Sequence, residues 1–297
     1  MSLILAVLLQ VGPAPGTGSG AASQLPPEIR DRKPRAEAQQ APVAPPAPKA
    51  QIGKDSARER DCVASIAGDP EAAAESAELW RDAATGEERA RADLCLGMAL
   101  SEREDWSGAE AAFLDGRDAA IGQELIRASM GSMAGNVALA QGAADRALTQ
   151  FDAARAELGS APNPQLATVI GLGRARALVA LGRLDEAEAP LSEVRGLAPD
   201  SAEAWLLSAT LSRRLNKLAE AQARIEKAAQ LLPIDPEIGL EAGVIAMLSG
   251  REEAARKSWQ SVLAAAPKTP YAETARGYLA QLSAPVLPAR PTPVEGR

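Results

Sequence analysis

The segment AEAWLLSATLSRRLNKLAEAQARIEKAAQLLP, residues 202–233, places alanine at almost every third or fourth position and closes on Pro233. Its neighbours repeat the pattern. Pro199, Pro233 and Pro267 are 34 residues apart, and Ala187, Ala221 and Ala255 keep the same interval. GRLDEA (182–187), NKLAEA (216–221) and GREEAA (250–255) are one motif written three times. Ala175, Ala209 and Gly243 form a further column ahead of the alanines. A fixed period of roughly 20–50 residues marks a stacked repeat rather than a single globular core.

Composition selects the kind of repeat. The chain is 46% apolar but only 3% aromatic, with much of the apolar share in alanine. That favours closely packed helices over sheets, which draw on β-branched and aromatic residues. From about residue 54 to 283 the apolar spacing is helical, with no strand-like alternation. The punctuation agrees. Gly142, Gly182, Asn216 and Gly250 stand where a first helix needs a left-handed residue to satisfy its last carbonyls. Asp69-Pro70, Asn163-Pro164, Asp235-Pro236 and Thr269-Pro270 each set a capping side chain before a proline at the first helical position.

Charge and residue usage exclude several functions. A net charge of −7 with mixed signs argues against nucleic acid or an anionic membrane surface as partner. Histidine is absent, which removes histidine-based nucleophile systems and histidine metal sites. No cofactor or metal is expected. Carboxylate pairs such as Asp185/Glu186 and Glu252/Glu253 fall where second helices begin and complement the helix dipole. No catalytic residue is assigned.

The ends read differently. LILAVLLQV (3–11) is too short to span a bilayer as a helix but fits the apolar region of a secretory signal, with cleavage expected after Ala22. It lacks the usual Lys or Arg before it. Residues 23–53, including APVAPPAPKAQ (41–51), and the tail 284–297 are rich in Pro and Ala and are expected to stay disordered.

The repeated columns resemble the tetratricopeptide repeat (TPR), a helix–turn–helix of about 34 residues with small residues at positions 8, 20 and 27 and proline at 32. In 202–235 these are Ala209, Ala221, Ala228 and Pro233, with Trp205 at the family's aromatic position 4. Residues 168–201 supply Ala175, Ala187, Val194 and Pro199; residues 236–269 supply Gly243, Ala255, Val262 and Pro267. Looser units begin near 128 (Gly135, Ala147, Phe151, Ala154) and near 90 (Gly97, Ala109, Phe113), with a degenerate one at 54–87 keeping Ala73 and Trp80. The family's tyrosine at position 11 is replaced by Leu178, Ser212 and Ala246. The resemblance implies an all-α, right-handed TPR superhelix over 54–283, an α-solenoid of about five to six units closed by a capping helix at 270–283.

The resemblance also implies a concave groove lined by the first helices. Positions 2, 5, 9 and 12 would place there Arg91, Met98, Asn136, Arg176, Thr210, Arg213, Val244, Met247, Tyr271 and Tyr278, among other residues. Such an apolar strip with Arg176 and Arg213 along it suits an extended or helical peptide carrying an acidic residue or two. Family members that clamp a C-terminal carboxylate use a lysine and an asparagine. Asn136 sits at the asparagine position, but Ser132 stands in place of the lysine.

Cys62 and Cys95, the two cysteines, are 33 residues apart, close to one repeat, and so fall at similar heights on neighbouring helices. They form a disulfide in an exported protein, or two buried thiols otherwise. The expected function is that of a non-catalytic bacterial adaptor, periplasmic or otherwise exported, that holds a protein or peptide partner. The alternatives are an enzyme or enzyme-targeting subunit using groove carboxylates, and a cytoplasmic TPR adaptor.

Overall fold

The computed structural model describes residues 57–159, 161 and 163–283; the signal, linker and tail expected at the two ends lie outside them. The described residues form thirteen α-helices and no strand. They are α1 (Ala57–Ile66), α2 (Pro70–Ala83), α3 (Gly86–Glu102), α4 (Trp106–Ala119), α5 (Glu124–Ala140) and α6 (Ala144–Leu158). Then come α7 (Pro164–Ala180), α8 (Leu184–Leu197), α9 (Ala202–Arg214), α10 (Leu218–Leu231), α11 (Pro236–Leu248), α12 (Glu252–Ala265) and α13 (Pro270–Ser283). Successive helices pair into six hairpins, and α13 packs over α12 and α11 to close the stack.

One backbone device makes the turn inside five of the six hairpins. In each, the residue three past the helix end donates its N–H to the carbonyl five residues back, as from Ala143 to Ala138, Arg183 to Leu178, Lys217 to Ser212 and Arg251 to Ala246 (2.8–2.9 Å). The residue between adopts a left-handed conformation: φ is 72° at Gly182 and 57° at Asn216. The α3–α4 turn closes the same way, from Asp105 to Leu100, although Glu104 occupies the left-handed position with φ 58°. The hairpin geometry therefore survives a residue with a Cβ there. Asp69 inside the first hairpin, and Asn163, Ser201 and Asp235 between hairpins, each accept a backbone N–H of the next helix through their side chains.

Two contacts per hairpin set how closely its helices approach. The first pairs Gly97 with Phe113, Gly135 with Phe151, Ala175 with Leu191, Ala209 with Ile225, and Gly243 with Trp259. All ten are buried. Where the second helix carries an aromatic ring the first carries glycine, and where it carries leucine or isoleucine the first carries alanine. A Cβ on Gly97 would lie 2.5 Å from the Phe113 ring, one on Gly135 2.9 Å from Phe151, and one on Gly243 would enter the Trp259 indole. The second contact pairs Gly171 with Val194 and Gly239 with Val262, where an added Cβ would meet a valine methyl at 2.5 and 2.8 Å. Trp205 and Ala228 hold the same two places with the sizes exchanged. In α7–α8, α9–α10 and α11–α12, small against large at both points lets the helices sit near the close end of the usual 8–10 Å range; in α5–α6 the second contact is small against small, Gly131 on Ala154.

The residue columns keep the 34-residue period from α7, but the starts of the first helices keep it only from α9 onward. α3, α5 and α7 each have 17 residues against 13 for α9 and α11. The extra turn is at the N-terminus: the helices of the units expected near 90, 128 and 168 begin at Gly86, Glu124 and Pro164. Pro164 with its Asn163 cap fixes that earlier start for α7.

Asp93 keeps the size match but puts a carboxylate where the other hairpins put an apolar group. It stands in α3 over Gly116 of α4, fully buried, and neither carboxylate oxygen accepts a hydrogen bond. Arg89 is its ion-pair partner at 3.6 Å. Burial, helped by Asp115, pushes its pKa up to about 6, against the pull of Arg89 and Arg81. The folded chain thus holds this proton more tightly than the unfolded chain does, so stability should fall as pH rises from about 4 through 6 and then level off. Asp93→Asn should raise stability at pH 7 by roughly 1–2 kcal/mol and flatten that slope. Urea denaturation at the two ends of the range checks both; a loss of stability at pH 7 would mean that the Arg89 pair outweighs the cost of burial.

Candidate functional site

The first helices of the hairpins share one face of the stack, and between α7, α9 and α11 this face opens into a cleft of about 460 Å³. Its apolar floor includes Leu139, Val179, Leu206, Leu207 and Ile238. The small residues Ala175 and Ala202 on the same lining leave the room. Asn136 and Thr210 also line it, although Thr210 is largely covered.

Charged groups frame this floor unevenly. Arg176 projects from α7 into the cleft and forms an ion pair with Glu203 of α9. Burial pushes its guanidinium down to about 10, with Glu237 opposing. Arg213 reaches from α9 to Glu241 of α11, with Nε 2.6 Å from the carboxylate and both side chains largely covered. The two arginines read from the sequence as receptors for an acidic ligand are therefore occupied by the chain's own glutamates. Glu203 and Glu241 escape a sequence reading because they lie on the adjacent repeat, outside the arginines' own helices.

Glu237, at the start of α11, accepts a hydrogen bond from Tyr271 Oη at 3.2 Å. It forms no ion pair within 4 Å among the described residues. Burial and the neighbouring Asp235 raise its pKa, while the Tyr271 bond and Arg176 oppose them. The same neighbourhood, burial first and then Glu237, raises the Tyr271 phenol. At the other end Arg214 is exposed and donates to Val179 O at 3.3 Å.

The remaining groove candidates separate. Arg91 is buried and does not present its charge to a ligand: it is paired with Glu59 of α1 at 3.3 Å and with Glu87. Val244 is buried in the terminal core with Tyr271 and Tyr278, and Tyr278 packs on Trp259 with ring centroids 4.9 Å apart. Met98 packs half-buried on the N-terminal core. Met247 is exposed near the end of α11.

Cys62 of α1 and Cys95 of α3 meet as a disulfide with Cα atoms 6.2 Å apart, one turn from the Glu59–Arg91 pair. Two cross-links thus hold the first helix against the third. A second cleft, of about 600 Å³, lies beside the α6–α7 connection; Arg155 on its wall pairs with Glu193 at 2.5 Å and Asp152 with Arg174 at 2.5 Å. No described residues form a cluster of three or more potential metal ligands, and no described helix is long and apolar enough to cross a membrane.

The family model described as Tetratricopeptide repeat matches residues 138–211, from the end of α5 into α9. No curated protein sequence matches the chain. Among solved structures, PilW, described as a widely conserved type IV pilus biogenesis factor, is similar at 16% identity and a TM-score of 0.61, over 74% of this chain and 99% of that one. BtubC from P. vanneervenii is similar at 15% identity and a TM-score of 0.54, over 82% of this chain and 99% of that one. TTC0263, a thermophilic TPR protein from Thermus thermophilus, is similar at 20% identity and a TM-score of 0.51, over 65% of this chain and 97% of that one. Residues 138–211 thus match the tetratricopeptide repeat, and the described residues share the stacked helical-hairpin fold of these solved structures.

Proposed function

We propose that the chain is a non-catalytic interaction scaffold of the bacterial envelope that holds a polypeptide segment of a partner in the cleft between α7, α9 and α11. The observation that carries this reading is the cleft itself. Its floor is formed by side chains of four successive first helices, α5 to α11, is mostly apolar, and is bordered by a few placed polar groups. That is the make-up of a recognition site, with an apolar surface for affinity and polar groups for orientation. The charged groups at its edges are engaged in ion pairs and hydrogen bonds between repeats, which suits a rigid binding wall. PilW supports the fold alone; its part in pilus biogenesis belongs to that protein.

Placement outside the cytoplasm is supported by two independent features. One is the apolar stretch 3–11 followed by small residues. The other is the approach of Cys62 and Cys95 at disulfide distance on helices that carry no other cysteine. A bridge there is durable only in an oxidising compartment.

A photo-crosslinking amino acid at Leu207, on the cleft wall, should yield a partner adduct in the native host, and one at exposed Leu79 on α2 should not. Adducts from Leu79 alone would place the binding surface elsewhere. For the bridge, thiol labelling of the unfolded, unreduced protein should find no reactive cysteine; two labelled thiols would remove it. Replacing both cysteines with serine should cost about 2–4 kcal/mol, read as earlier loss of the α1–α3 contact on denaturation.

A further inference from the structure

The cleft is electrically two-ended. At one end, where α9 and α11 begin, Glu203, Asp235 and Glu237 line it. Asp235 is engaged as the cap of Ile238 N. Glu203 and Glu237 share a single nearby cation, Arg176, so this end keeps an uncompensated negative charge. At the other end, where α7 and α9 finish, the lining cation is Arg214, which forms no ion pair among the described residues and donates only to a backbone carbonyl. Arg213 beside it does not offset this difference, being neutralised by Glu241. Partial desolvation on the side facing the cleft, and then Arg213, lower the pKa of the otherwise exposed Arg214. Helix ends favour charges of these signs in any case. What makes them recognition elements here is that both groups border one apolar floor and neither is balanced within the chain.

We propose that the cleft selects an apolar segment of a partner protein that bears a cationic side chain at one end and an anionic one at the other. The cation is seated by Glu237 and Glu203 and the anion by Arg214. This rests on the groove reading above and replaces the acidic ligand that Arg176 and Arg213 suggest in the sequence. Spacing follows from α9. Eleven residues separate Glu203 from Arg214, a rise of about 16 Å at 1.5 Å per residue. An extended chain covers that length in about five residues, so the two charges should flank four to six positions, mostly apolar. An all-acidic segment would set like charge against Glu237, and an all-basic one against Arg214; each arrangement is disfavoured.

Panning a phage-displayed library of random dodecapeptides on the full-length protein, with Glu237→Gln and Arg214→Ala variants in parallel, tests this. The wild type should enrich peptides pairing Lys or Arg with Asp or Glu across four to six mainly apolar residues. Glu237→Gln should lose the basic preference and keep the acidic one, and Arg214→Ala should do the reverse. A synthetic copy of an enriched peptide should bind each variant about 10-fold or more weakly. Enrichment of acidic pairs, or of apolar peptides without charge preference, would overturn the proposal while leaving the groove as a binding site. Peptides unaffected by either substitution, and displaced by none of the cleft variants, would overturn both readings, as would no enrichment over uncoated surface when both variants retain the wild-type helical signal.

Discussion

The fold depends on a volume constraint between the two helices of each hairpin. A small residue midway along the first helix must make room for the large residue sixteen positions later on the second, and across five hairpins the sizes trade against each other. Glycine faces Phe113, Phe151 and Trp259; alanine faces Leu191 and Ile225. Close approach then follows without strain, and the dispersion gained along a tightly packed interface is available to every repeat. Trp259 has a further tie, since its indole N–H donates to Leu240 O at 3.2 Å and anchors the ring over Gly243.

From that constraint comes the wall on which binding is proposed. Because the hairpins close alike, the first helices repeat along one face, and equivalent positions on α7, α9 and α11 come side by side. Alanines that let α7 and α9 pack also leave the cleft its depth. Polar side chains on this face are too close to remain independent. They pair across repeats as Arg176–Glu203, Arg213–Glu241 and Tyr271–Glu237. The N-terminal repeats use the same principle for cohesion, with Glu59–Arg91 and Cys62–Cys95 joining α1 to α3.

Legibility in the sequence follows the physics of each feature. The hairpin turns at Gly142, Gly182, Asn216 and Gly250 were readable because a left-handed residue leaves a compositional mark, and each has positive φ. Glu104 left no such mark and was missed. The small columns and the helix caps were readable because they are local or strictly periodic. The extra N-terminal turn of α3, α5 and α7 was not, since the period reports hairpin spacing and not where a helix starts. The charge state of the groove was hidden for another reason. Groove positions identify Arg176 and Arg213, but their availability depends on Glu203 and Glu241, one repeat away and within reach only after stacking. Asp93 likewise looks like one more surface carboxylate until Gly116 and Met130 are seen to close over its place.

The most direct measurement is a double-mutant cycle on Gly243 and Trp259, read by urea denaturation. Gly243→Ala drives a methyl into the indole, and Trp259→Leu leaves a void, each costing about 1–3 kcal/mol. The double variant installs the alanine–leucine pair that Ala175 and Leu191 already form two repeats earlier. It should recover about 1 kcal/mol or more relative to the sum of the single losses. Strictly additive losses would show that the two positions do not answer to each other in size, and the account of how the hairpins close would be wrong.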